Sequence, residues 1–95
     1  LVYRARLAAA AVLERQGRFA EAADQWRTVA GAPGAAPWHA DARLGLARAT
    51  LALGNAELAE AMVATLERSH PTSDRGVVAR RELVRAEAFL ALDRW

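Results

Sequence analysis

Neither cysteine nor lysine occurs anywhere in the 95 residues. Without thiols the chain can form no disulfide framework and no thiolate-bound metal site, and its redox compartment is left open. β-Branched residues are sparse and aromatic residues make up only 6% of the chain, which removes most of the side chains that favour strands. No apolar run reaches the roughly 18 to 20 residues that cross a bilayer, because Arg15, Arg18, Arg43 and Arg48 interrupt every candidate. A strong excess of one charge is missing too, since 13 basic residues face 11 acidic ones for a net charge of +2. The pI of about 10.4 reflects arginine's very high side-chain pKa as much as any excess of charge. Charges of both signs alternate along Arg43, Arg48, Glu57, Glu60, Glu67 and Arg68. That is the pattern of solvated helix faces, so a nucleic-acid-binding stripe is not expected.

What remains is a chain that is 54% hydrophobic and 25% charged, dominated by alanine, leucine, arginine and glutamate. These are strong helix formers, and the balance is that of one folded domain with an all-α fold of about five helices. The first helix is predicted over residues 2–16, with Leu7, Ala8, Ala10, Ala11 and Leu13 on one apolar stripe. Gly17 ends it, and Phe19 opens a second helix reaching Val29 or Ala30 that turns Ala22, Ala23, Trp26 and Val29 to one side. The stretch from Gly31 to Pro37, with two prolines and two glycines, is predicted as the longest linker. Pro37 then occupies the first turn of a third helix running to Leu53. Gly54 repeats the role of Gly17, and Asn55 caps a fourth helix that extends to Arg68. After Pro71, Thr72 or Ser73 is expected to cap a fifth helix ending near Leu92.

Shifted by 39 residues, the third helix falls on the fifth: Leu44, Ala47, Leu51 and Leu53 meet Leu83, Ala86, Leu90 and Leu92. At a shift of 37, Leu7, Ala10 and Gly17 meet Leu44, Ala47 and Gly54. A period of this size marks stacked helical hairpins, each covering the apolar face of its neighbour. Ala10, Ala47 and Ala86 stand mid-helix where antiparallel partners come close, and Ala22 and Ala59 hold the corresponding places in the second helices. Ala10, Gly17, Phe19, Ala22 and Trp26, then Ala47, Gly54, Ala59, Val63 and Pro71, resemble the phrase of the tetratricopeptide repeat family. The resemblance covers almost the whole chain and departs from the family in places. Arg6 and Arg43 replace a large residue near the start of the first helix, Ala56 stands for an aromatic, Asp93 stands for a glycine, and the spacing exceeds the usual 34 residues.

The resemblance implies a right-handed superhelical array of antiparallel hairpins, an α-solenoid. Repeat one spans about residues 3–36, repeat two about 37–73, and a truncated repeat three about 74–95. Because the chain starts at Leu1 without methionine and stops at Trp95 as a new phrase begins, it is read as a piece of a longer protein. A last helix without a covering partner exposes an apolar face available for self-association.

No constellation of reactive groups stands out. His39 and Asp41 are two residues apart, which on a helix sends them to different sides. Ser69, His70 and Asp74 lie in a linker and read as capping residues, Ser73 is a candidate cap of the fifth helix, Tyr3 joins no constellation, and the glycines of the longest linker have no lysine to serve a phosphate loop. Non-catalytic function, with no cofactor and no metal, is therefore expected. Trp26 reads as core, and Trp38 either plugs the hinge between repeats or offers a contact. By the resemblance, first helices line a concave face, and the ligand-facing positions become Arg4, Leu7, Ala11, Glu14 and Arg15, then Asp41, Leu44, Arg48 and Leu51, then Arg80, Leu83, Glu87 and Leu90. Arginines there would grip carboxylates at two points, which suits an acidic peptide or partner segment. A protein-interaction scaffold is the expected role. The alternative is a regulatory or sensory arm of a larger transcription regulator or signalling enzyme.

Overall fold

A computed structural model describes residues 2–93, and among them it contains five α-helices, one 3-10 segment and no strand. The helices are α1 (Val2–Arg15), α2 (Phe19–Gly31), α3 (His39–Ala52), α4 (Ala56–Ser69) and α5 (Arg75–Asp93). The expectation placed on Trp95 lies outside the described residues.

The turns that close the first two hairpins are built alike. Gly17 and Gly54 take φ of +75° and +97°, the left-handed region that an L side chain rarely enters. In each turn the amide of the residue after the glycine reaches back to a carbonyl in the last turn of the helix. Arg18 N–H donates to the Leu13 carbonyl at 2.9 Å and Asn55 N–H to the Thr50 carbonyl at 3.1 Å. Asn55 caps α4 as expected, its Oδ1 accepting from Leu58 N–H at 3.2 Å.

Two elements differ from the sequence reading. The stretch after α2 is a 3-10 segment, Pro33–Trp38, with Ala35 fully buried, and α3 begins at His39 beyond Pro37. Short 3-10 turns suit such a connector because they need only a few residues per turn, and the fixed φ of proline fits them. The cap of α5 is Asp74, whose Oδ1 accepts from Gly76 N–H at 2.9 Å and Val77 N–H at 3.2 Å. Thr72 instead supports the preceding turn, its hydroxyl accepting from Asp74 N–H at 3.1 Å.

Each helix packs against the next in sequence, and α3 also touches α5. Alanine decides how closely they approach. Ala10, Ala22, Ala47 and Ala59 are all fully buried, and no larger side chain keeps the helix backbones apart there. Two apolar clusters result. The first joins Ala10, Ala22, Trp26 and Val29 to Ala35, Ala42 and Ala49. The second joins Leu44 and Ala47 to Val63, Leu66 and Val84. Helix α3 serves both, presenting Ala42, Gly45 and Ala49 on one side and Leu44, Ala47 and Leu51 on the other.

Helix α5 repeats only half of that arrangement. Thirty-nine residues on, Arg81, Val84 and Ala88 are buried like Ala42, Gly45 and Ala49. The equivalents of the second side are uncovered, with Leu83 60% and Leu90 62% exposed. Ala86 is exposed as well, contrary to its expected place between helices, because no described helix follows α5 to pack on it.

Candidate functional site

The first helices of the hairpins bring seven of the expected contact residues to two adjoining cavities. Ala11, Glu14 and Arg15 of α1 and Arg48 of α3, with Phe19 at the start of α2, line a cavity of about 460 Å³. Asp41, Leu44 and Arg48 of α3 and Arg80 of α5 line a second of about 260 Å³. Arg48 belongs to both walls, so the cavities run on from one another across three helices.

Arg48 is held from two sides. Its Nε and NH2 donate to Glu14 Oε1 and Oε2 at 2.9 and 3.2 Å, a two-point pair between α1 and α3. Its guanidinium also lies 5.8 Å from the centre of the Trp26 ring, within cation–π reach. Both charges keep partial solvent access, so the pair fixes geometry more than it adds stability. Arg15 and Arg80, by contrast, form no ion pair with another described residue. The net charge of the double cavity is therefore set by Arg15 and Arg80 against Asp41.

The remaining expected contact residues lie elsewhere. Leu7 is half-buried and packs on the first cluster, Leu51 on the second, and Arg4 is exposed outside both cavities. Leu44 lines the second cavity but is only 6% exposed and packs with Val63, Leu66 and Val84, so it forms floor more than contact surface. Leu83, Glu87 and Leu90 are exposed on α5 and line neither cavity. Phe19 was not among the expected contacts. Its place two residues after Gly17, at the rim of the hairpin turn, is the signal that could have found it.

The polar groups singled out in the sequence have structural partners. His39 Nε2–H donates to the Ala32 carbonyl at 2.6 Å and ties α3 to the 3-10 segment. Ser69 hydroxyl donates to the Thr65 carbonyl at 2.9 Å, and Asp74 caps α5. Trp38 is half-buried with its ring 6.2 Å from that of Tyr3, against the first cluster. Arg43 NH1 donates to His70 Nε2 at 2.9 Å. Burial pushes the His70 imidazole below its ordinary pKa of 6.5, with Arg43, Arg81 and His39 adding like-charge repulsion. No group of three or more His, Asp or Glu able to hold a metal ion occurs among the described residues. A further cavity of about 260 Å³, walled by Leu58, Met62, Leu66 and Arg43, shares no residue with the two on the first helices.

A family model described as tetratricopeptide repeat matches residues 16–80, more than half of the chain. No curated protein and no solved structure matches it.

Proposed function

Because the chain belongs to the tetratricopeptide repeat family, whose domains are protein–protein interaction modules and typically non-catalytic, we propose that it binds a partner segment along the two cavities that share Arg48. The observation that carries this reading is the pairing of cavity shape with charge. Arg15 lines only the first cavity and Arg80 only the second, neither with a described ion-pair partner, while Arg48, on both walls, is already held by Glu14. An extended segment with carboxylates at both ends meets two arginines and crosses a half-apolar floor of Ala11, Phe19 and Leu44.

The test is fluorescence anisotropy with a panel of labelled peptides matched in length and differing in charge. Acidic peptides are expected to bind best, with affinity falling as salt is added. The double variant Arg15→Glu, Arg80→Glu should weaken them at least tenfold, while Arg27→Glu on the exposed side of α2 should leave them unchanged. Equal binding of acidic and basic peptides, or indifference to the double variant, rejects the reading.

The same proposal extends to the uncovered side of α5. Leu83, Ala86 and Leu90 follow one another at spacings of three and four, and their equivalents Leu44, Ala47 and Leu51 are covered by α4. A helix from a second copy of this chain offers the same kind of cover.

A further inference from the structure

Arg81 occupies a place where a charge is not expected. The equivalent residue one repeat earlier is Ala42, fully buried, and Arg81 itself is 5% exposed. Its NH1 donates to the His70 carbonyl at 2.8 Å, at the C-terminal end of α4. That helix end supplies about half a negative charge. Arg81 forms no ion pair with a described carboxylate, the nearby Glu67 being held by Arg85, and its Nε is buried with no hydrogen-bond partner. A buried arginine left in that condition is costly, since charges withdrawn from water need both a counter-charge and filled donors.

Beside it lies a notch of about 140 Å³ lined by Arg81, Thr72, Pro71, Val78 and Glu67. That is several times the roughly 30 Å³ a water molecule takes in the liquid. The Thr72 oxygen accepts from Asp74 N–H, which leaves the hydroxyl proton available to donate. Glu67 stands on the rim, where Arg85 holds its carboxylate at 2.7 Å. Pro71 and Val78 make the other walls apolar.

We propose that this notch, at the joint between α4 and α5, binds a carboxylate, with Arg81 and Thr72 as donors and Pro71 and Val78 against its aliphatic stem. A singly charged carboxylate suits it better than a phosphate dianion, because the rim already carries Glu67. The site shares no residue with the two cavities of the first helices and stands independently of the peptide reading.

The test uses the 95-residue chain labelled with ¹⁵N and follows the arginine Nε–H resonances while propionate, inorganic phosphate or chloride is added at matched ionic strength. Propionate should move the Arg81 Nε–H and the Thr72 and Val78 amides together along one saturable curve, with phosphate at least tenfold weaker. Arg81→Met, which keeps the stem and drops the charge, should abolish the curve. Thr72→Val should weaken it severalfold with the helix signal in circular dichroism unchanged, so the proposal stays testable if Arg81→Met fails to fold. A blocked tripeptide with central glutamate that binds tenfold more tightly than propionate identifies a protein side chain as the natural carboxylate, and equal affinity identifies a free acid. Shifts confined to exposed arginines, or a curve that survives Thr72→Val and Arg81→Met unaltered, overturn it.

Discussion

Gly45 sits in the middle of α3, where a glycine ordinarily costs roughly 0.5 to 1 kcal/mol relative to alanine. Here a Cβ would clash with the Trp26 ring, so the indole occupies the space that the missing side chain leaves. Gly45→Ala should therefore destabilise the fold by about 1 to 3 kcal/mol, the range of core overpacking, as measured by urea unfolding. A more stable variant would show that the ring swings aside freely. His70 makes a second prediction at this scale. Its folded pKa lies below the unfolded one, so the unfolded chain takes up the proton first as the solution is acidified. The stability it contributes is complete above about pH 6.5 and is lost as pH falls below that value toward the folded pKa. Comparing thermal melts at pH 7.5 and 5.5, His70→Gln should show a smaller acid loss than the parent chain. These two residues also mark where the sequence stops being legible. Gly17 and Gly54 announce themselves because a helix stop is a local event, whereas Gly45 and Arg81 matter only through what another helix places against them.

At the scale of elements, helix boundaries follow from which side chain first meets the free amides. Thr72, Ser73 and Asp74 are all competent caps within three residues, and nothing in the local pattern ranks them. Asp74 holds the position because its carboxylate reaches two amides of the first turn of α5. Asp74→Ala should cost about 0.5 to 2 kcal/mol in thermal or urea unfolding, while Ser73→Ala should be near neutral. The hairpin turns were legible because a small side chain and a glycine recur at fixed spacing, although the helix ends fall a residue or two from their expected places. The 3-10 segment was not, since prolines and glycines mark a departure from α-helix without saying what replaces it. The candidate site divides in the same way. That Glu14, Asp41, Arg48 and Arg80 approach one another follows from the repeat offset, which puts equivalent positions of successive first helices side by side. That Glu14 takes Arg48 and leaves Arg15 and Arg80 without a described partner depends on side-chain reach across two helices, which spacing does not carry.

Over the whole molecule, the described residues fill an extent of 41 × 31 × 20 Å with a radius of gyration of 12.8 Å. Stacking makes each hairpin's stability depend on its neighbours, and the uncovered side of α5 is where that dependence is unmet. Sedimentation velocity of the 95-residue chain should show association that grows with concentration, and Leu83→Glu with Leu90→Glu should return it to monomer. Unchanged sedimentation would place the association, if any, on another surface. The contact of Arg48 with Trp26 has a consequence of a different kind. The indole is buried, its N–H meets no partner, and a guanidinium that forms part of both cavity walls lies over its face. Any occupant that draws Arg48 away changes the electric field on a chromophore. The chain thus carries its own optical gauge of occupancy, readable as a shift in tryptophan emission once Trp38 and Trp95 are replaced by phenylalanine.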